Sequence, residues 1–214
     1  MHHEVITPVP LIECGIAARM LPGEAASGDR HVVKFFPNGA LVAAVDGLGH
    51  GDEAAAAAEI AVATLETFAP SSPIALVTRC HEAMRKTRGA AMSIASFNAL
   101  DNTMTWLGVG NVDAALLRAD ADARPSRESI LLRGGVVGLQ LPTLRESVLP
   151  VKRGDTLIIA TDGIEGGFTE GLTPGDPPQQ IADLILARHG KDTDDALVLV
   201  ARYLGGAPCA IYSR

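Results

Sequence analysis

The chain has 214 residues, of which 47% are hydrophobic and 20% charged, a balance that predicts a packed globular core and excludes a disordered or collagen-like chain. Its 25 acidic residues outnumber 18 basic ones, and the net charge of -7 without a basic run argues against nucleic acid or an anionic membrane as partner. The N-terminus lacks the pattern of a secretory signal, and no apolar run reaches the roughly 18 to 20 residues of a membrane span. We therefore expect one cytoplasmic domain over residues 1–214.

Apolar runs separated by turn residues predict the elements in chain order. The first half contains strands at 9–18, 31–36 and 40–45, a turn at Pro37-Asn38-Gly39, and helices at 52–68 and 73–85. The second half contains strands at 92–99, 104–109, 112–118, 129–133, 147–151 and 155–161, a helix at 178–189 and a last strand at 196–203. The strands between 92 and 118 have the spacing of antiparallel hairpins, so the sequence predicts the α+β class, with helices packed outside antiparallel sheets.

The three cysteines, Cys14, Cys80 and Cys209, have neither the spacing of a disulfide framework nor a CxxC motif. This usage is typical of a reduced, intracellular chain. We expect buried thiols without a chemical role.

Aspartates stand at the ends of predicted strands: Asp46 and Asp162 follow strands, and Asp194 precedes one. If these ends meet at one sheet edge, the carboxylates repel, by roughly 4 kcal/mol for two charges 4 Å apart at an effective dielectric near 20, and the cluster needs a cation. Ligands that are all oxygen favour Mg²⁺ or Mn²⁺ over zinc. The glycine after Asp46 lets the backbone turn sharply and offer the Gly47 carbonyl to an ion.

Six short motifs occur in a recognisable order. They are SGD (27–29), VDGLGHG (45–51), GVGN (108–111), GGVVGL (134–139), ATDGI (160–164) and DDALVLV (194–200). This order resembles the SpoIIE-type members of the metal-dependent protein phosphatase (PPM) family, over about residues 11–202. The DGLGHG form, on a chain where we expect no attached sensor domain, is most similar to the stand-alone stressosome phosphatases of that family.

The resemblance implies a four-layer αββα sandwich of two antiparallel sheets flanked by helices. It implies two Mn²⁺ or Mg²⁺ ions and hydrolysis of phosphoserine or phosphothreonine by metal-activated water. Asp46 would bridge the ions, Gly47 would give a carbonyl, and Asp162 and Asp194 would be further ligands, with Asp29 acting directly or through water. The implied partner is a phosphorylated STAS-domain protein, either a stressosome scaffold or an anti-sigma-factor antagonist.

Some positions depart from the family pattern or leave alternatives open. Leu197 replaces a Thr or Ser of the last motif, and only Arg19 is a candidate, a weak one, for the phosphate-binding arginine of the wider family. His50 could be a general acid that protonates the leaving alkoxide, or it could orient the loop. We expect Asn111 to fix a turn and Asp195 to cap one locally.

Two other functions fit part of the sequence. An ATP-binding domain of the anti-sigma-factor kinase type would use a DxGxG turn, which DGLGHG matches loosely, but it gives the later aspartates no role. A catalytically silent, phosphatase-like binding module would keep the fold without the reaction. Nucleotide binding and metal titration separate these alternatives from a phosphatase.

Overall fold

The structure, a computed structural model, describes residues 10–129, 131–173 and 175–205. Strands and helices alternate in blocks along these ranges. In chain order they are β1 (Ile12–Arg19), β2 (Asp29–Phe36), β3 (Gly39–Gly47), α1 (Asp52–Thr67), α2 (Pro73–Ala83), β4 (Ala90–Asn98), β5 (Thr103–Val109), β6 (Asp113–Leu117), β7 (Arg127–Ser129), β8 (Ser147–Pro150), β9 (Thr156–Ala160), α3 (Pro178–His189) and β10 (Ala196–Tyr203). None of the helices in the described ranges is long and apolar enough to span a membrane.

The strands form two five-stranded antiparallel sheets that pack face to face. The order is β1-β10-β9-β6-β7 in the first sheet and β2-β3-β4-β5-β8 in the second. Large side chains fill the space between them, and the rings of Phe97 and Tyr203 stack there with centroids 5.9 Å apart. Helices α1 and α2 cover the outer face of the second sheet, and α3 covers that of the first. The predicted αββα sandwich is confirmed.

Small side chains let α1 lie close to the second sheet. Five alanines of this helix are buried, together with Leu65. The contact is so close that a Cβ on Gly47, at the end of β3, would lie only 2.1 Å from the carbonyl oxygen of Ala54. The end of β3 is therefore fixed against the first turn of α1, next to Asp46.

The observed boundaries correct two predictions. α3 and β10 coincide with the predicted ranges, but the strand predicted at 129–133 is wrong beyond β7, because residues 131–133 are irregular. The predicted pairing of 104–109 with 112–118 is also wrong, since β5 and β6 belong to different sheets. Gly110, whose φ is 92°, turns the chain from one sheet to the other. Residue 9, the start of the first predicted strand, lies outside the described residues.

Of the two cysteines that the structure describes, Cys80 is buried as predicted, whereas Cys14 is only partly buried. Burial raises the pKa of Cys14 and of Cys80 to about 12, so both thiols stay protonated at neutral pH and are poor nucleophiles. Cys209 lies outside the described residues.

Candidate active site

A cavity of about 220 Å³ opens at one edge of the sandwich. Asp46, Asp162 and Asp194 line it, together with His50. Asp162 stands two residues after β9, and Asp194 stands two residues before β10. These strands are antiparallel neighbours, so the end of one meets the start of the other. A larger cavity of about 540 Å³ lies by the β2–β3 and β4–β5 turns, at the opposite end of the second sheet, and includes none of the motif aspartates.

The carboxylates at this edge repel one another. Burial and then the charges of the neighbouring aspartates, Asp29 most of all, together raise the pKa of Asp46 to about 8. Burial and then the charge of Asp194 raise the pKa of Asp162 as well. A bound cation would relieve this repulsion, because an opposite charge favours the ionised form of each acid.

Asp29 lies behind the cavity. It opens β2 directly across from Asp46 on β3, and it is buried. Its Oδ2 accepts a hydrogen bond of 2.6 Å from the Thr161 hydroxyl. Burial raises the pKa of Asp29 to about 7, against the effect of this hydrogen bond. This bond uses one lone pair of Oδ2, which leaves the other lone pairs of the Asp29 carboxylate for an ion or a bridging water.

Two side chains hold Asp162 in place. Asn111 Nδ2 donates to Asp162 Oδ2 at 2.6 Å, and Lys191 Nζ donates to the backbone carbonyl of Asp162 at 2.6 Å. Both lower the pKa of Asp162, against the stronger effect of burial. We expected Asn111 to fix a turn, and its amide lies on the cavity wall, where it contacts Asp162, a candidate metal ligand in the turn after β9.

Asp195 has a structural role, but not the local one predicted. Its carboxylate is buried and accepts hydrogen bonds from the backbone N–H groups of Leu21, at 2.8 Å, and Gly28, at 2.7 Å. It therefore attaches the β1–β2 loop to the start of β10. Sequence reasoning missed this link. It also missed the Thr161 hydroxyl, which accepts a hydrogen bond of 2.9 Å from the Leu197 N–H and donates one to Asp29. Leu197 itself is a buried core residue.

His50 lies at the rim of the cavity, with its side chain 65% exposed. Its Nδ1 lies 2.6 Å from Oε1 of Glu24, in the β1–β2 loop. Sequence reasoning did not identify Glu24, because nothing in the local pattern connects residues 24 and 50. With Nδ1 engaged, Nε2 is the ring nitrogen that is left to exchange a proton.

In both Asp-Gly pairs, close backbone packing requires the glycine, which the sequence did not reveal. A Cβ on Gly163 would lie 1.8 Å from the carbonyl oxygen of Asp195, as one on Gly47 would lie 2.1 Å from that of Ala54. Real Cβ contacts are never so short, so only glycine permits these approaches. The glycine after each aspartate lets another backbone segment pack against the site.

The donors around the cavity suit a hard divalent cation. They are carboxylate oxygens, which Mg²⁺ and Mn²⁺ prefer. Within the described residues, no three His, Cys, Asp or Glu side chains converge closely enough to enclose an ion by themselves.

Arg19, the weak candidate for phosphate binding, is engaged elsewhere. Its guanidinium contacts the Lys191 carbonyl and lies 3.1 Å from Oδ1 of Asp192. It therefore holds the loop that leads to Asp194 and does not line the cavity.

Known proteins share this architecture. Residues 37–204 match the family model for stage II sporulation protein E (SpoIIE). The phosphoserine phosphatase RsbX of Bacillus subtilis (strain 168) is 28% identical over 144 residues, which cover 66% of this chain and 69% of RsbX.

Solved structures are similar over most of the chain. One, from work that describes the bacterial stressosome as a modular system adapted to control secondary messenger signalling, has a TM-score of 0.80 and 30% identity and covers 89% of this chain and 99% of its own. A crystal structure of RsbX in complex with magnesium has a TM-score of 0.80 and 23% identity, with 90% and 95% covered. From the sandwich, the carboxylates at its edge and the family match over residues 37–204, we conclude that the chain belongs to the SpoIIE family of PPM-type protein phosphatases.

Proposed function

We propose that this phosphatase hydrolyses phosphoserine or phosphothreonine on a protein of bacterial stress signalling, with two Mn²⁺ or Mg²⁺ ions at the cavity. The observation that carries the proposal is the convergence of Asp46, Asp162 and Asp194 on one cavity from three strand ends. The ATP-binding alternative gives the later aspartates no role, and residues 37–204 match the SpoIIE family, so it is not retained.

Asp46, Asp162 and Asp194 would hold the ions, with the Gly47 carbonyl and Asp29 as additional ligands, Asp29 directly or through water. When bound, such ions activate water and neutralise the phosphoryl charge. Asn111 and Lys191 keep Asp162 turned toward the cavity. Phosphate monoesters hydrolyse so slowly that accelerations up to about 10²¹ are needed, and a two-metal site is one of the few arrangements that can supply them.

His50 is the best placed general acid. As a water oxygen bonds to phosphorus and the bond from phosphorus to the seryl oxygen breaks, that oxygen must gain a proton. Glu24 engages Nδ1 of His50 at 2.6 Å, which fixes the ring and assigns proton transfer to Nε2. The same contact supports both roles considered for His50, since a ring that is oriented by Glu24 also orders the loop.

The substrate proposal follows the relatives. One is named a phosphoserine phosphatase and another was solved in work on the stressosome. We assign this chain a phosphorylated STAS-domain protein as its substrate, either a stressosome scaffold or an anti-sigma-factor antagonist. The described chain would act as one phosphatase domain.

Metal removal and Asp46→Asn test the proposal together. EDTA should abolish hydrolysis of p-nitrophenyl phosphate, and Mn²⁺ should restore it better than Zn²⁺ or Ca²⁺. Asp46→Asn should lower the rate with Mn²⁺ by more than about 100-fold, because even residues behind metal ligands cost 10- to 100-fold. Circular dichroism checks the fold, and Asp101→Asn, in the distant β4–β5 turn, is the matched control.

Two results would contradict the proposal. Full activity of Asp46→Asn with Mn²⁺ excludes the two-ion site. A wild-type protein that binds Mn²⁺ but hydrolyses neither this ester nor a phosphoprotein would instead be the silent binding module.

A further inference from the structure

Among the described residues, the cavity has no lysine or arginine of its own to contact the phosphoryl group. Its described lining includes three aspartates, Asp46, Asp162 and Asp194. A phosphoryl group that enters carries up to two negative charges into a space walled by carboxylates. Bound divalent ions offset part of this repulsion, and an arginine at the rim would favour the phosphoryl oxygens further, because its planar fork matches them.

Most basic side chains near the cavity already have partners. Lys191 donates to the Asp162 carbonyl, and Arg19 contacts the Lys191 carbonyl and Asp192. Arg30 donates to the carbonyls of Ser27, at 2.6 Å, and Asp29, at 3.0 Å. These three cations contact backbone carbonyls, and none of them lines the cavity.

Arg88 is different. It stands two residues before β4, and a Cβ added to Gly49 would lie 2.7 Å from its Nη1, so the guanidinium lies directly against the loop that lines the cavity. Its Nε contacts Glu53 in the first turn of α1. Within the described part of the chain, neither terminal nitrogen of Arg88 donates a hydrogen bond, and the side chain is 54% exposed.

The backbone fixes Arg88 at this position. The Leu48 N–H donates to the Gly89 carbonyl at 3.0 Å, which ties the α2–β4 loop to the DGLGHG loop. Gly89, with φ at 79°, provides the turn that brings the two loops together. Gly49 leaves room for the guanidinium, which any side chain at that position would obstruct.

We infer that Arg88 binds the phosphoryl oxygens of the substrate at the rim of the metal cavity. The two terminal nitrogens of Arg88 donate to the phosphoryl group, while Nε faces Glu53. The inference rests on the proposed phosphatase function and supplies the phosphate-binding arginine that the sequence did not reveal.

Kinetics and direct binding of phosphate test the role of Arg88. With Mn²⁺, Arg88→Ala should raise both the KM for p-nitrophenyl phosphate and the inhibition constant of inorganic phosphate roughly ten- to a hundredfold, as for a lost hydrogen bond to a charged group. kcat should change much less if the contact is equally strong in the ground and transition states. Arg88→Lys should recover part of the loss, because lysine keeps the charge but not the fork. Calorimetric titration of the Mg²⁺-supplemented protein with inorganic phosphate gives the affinity without turnover.

Two control variants separate a direct phosphate contact from a general charge effect and from structural support of α1. Lys86→Ala removes the same charge from the same loop, and Glu53→Gln removes the ion pair but keeps Arg88. Both should leave phosphate affinity within about threefold of wild type, because neither removes a proposed phosphate contact. An equal loss of phosphate affinity in Lys86→Ala would show that any positive charge in this loop has the same effect. An equal loss in Glu53→Gln would show that Arg88 acts only by supporting α1.

Failure of this inference is distinct from failure of the proposed function. A wild-type protein without metal-dependent turnover refutes the function. Normal wild-type turnover with unchanged phosphate affinity in Arg88→Ala refutes only the role of Arg88. A change confined to phosphoprotein KM, with inorganic phosphate unaffected, would show that Arg88 contacts the protein part of the substrate and would also overturn the inference.

Discussion

At the scale of single residues, the site concentrates acids that are only partly accessible to water. Asp29 and Asp46 face each other across β2 and β3, and Asp162 and Asp194 lie within electrostatic reach of both. Burial raises the pKa of Asp46 to about 8 and of Asp29 to about 7. Without metal, the folded protein therefore holds protons that the unfolded chain releases near pH 4.

The raised pKa values of Asp29 and Asp46 predict that the metal-free protein becomes less stable as the pH rises. Because the folded pKa values are raised, the stability linked to Asp29 and Asp46 is fully present below about pH 4 and is lost as the pH rises through about 7 and 8. In EDTA, the Tm should fall from about pH 5 to about pH 9. Asp46→Asn lacks one titrating group, so its Tm should fall less and exceed that of wild type at the upper end.

Calorimetry in EDTA at constant ionic strength measures this difference. The informative quantity is the Tm of Asp46→Asn minus that of wild type, because the other acids titrate in both proteins. A difference that stays constant with pH would show that Asp46 is ionised throughout and is not repelled by its neighbours.

At the scale of elements, the turns that carry the aspartates are shaped by backbone contacts. The turn after β9 touches the segment before β10 at Gly163, and the end of β3 touches α1 at Gly47. Neither contact leaves room for a side chain. The geometry of the carboxylates therefore depends on how closely the turns pack as well as on the strands.

Gly163→Ala should destabilise the protein by about 1–3 kcal/mol, because the new methyl group overlaps the Asp195 carbonyl and forces the turns apart. It should also weaken Mn²⁺ activation, since Asp162 and Asp194 separate. The matched control is Gly166→Ala, three residues later, where a Cβ meets no atom within 4 Å. This change should be neutral or stabilise by about 0.4–1 kcal/mol. Urea denaturation compares the two, and equal midpoints would mean that the turn relaxes without cost.

At the scale of the whole molecule, the cavity is too small to contact more than a short part of a protein substrate. About 220 Å³ accommodates a phosphoryl group and its immediate surroundings, so selectivity among proteins must come from the surface around the rim. If docking on that surface persists in the transition state, it raises turnover as well as capture.

We therefore expect faster hydrolysis of a folded, phosphorylated STAS-domain scaffold than of a free phosphopeptide of the same local sequence. A roughly tenfold difference in kcat/KM would correspond to about 1.4 kcal/mol of docking energy. A parallel time course with both substrates and a phosphorylated anti-sigma-factor antagonist measures this preference. Equal rates on scaffold and peptide would exclude docking, and preference for the antagonist would change the partner while leaving the chemistry intact.

The sequence by itself determined the elements and the principal acids. Alternation and turn residues placed α3 and β10 at their observed bounds, and the Asp-Gly pairs at strand ends identified Asp46 and Asp162. These features are local: hydrophobic periodicity and turn chemistry act over a few neighbouring residues, so they can be read along the chain.

Only the tertiary structure decided the contacts between distant segments. The passage of the chain between sheets after β5, the bond from Thr161 to Asp29, and the position of Arg88 beside Gly49 all join residues that are remote or unremarkable in sequence. Pairing of this kind depends on which strands become neighbours and on how closely backbones can approach. A single sequence contains no local pattern for either, because the same hydrophobic alternation fits several sheet orders.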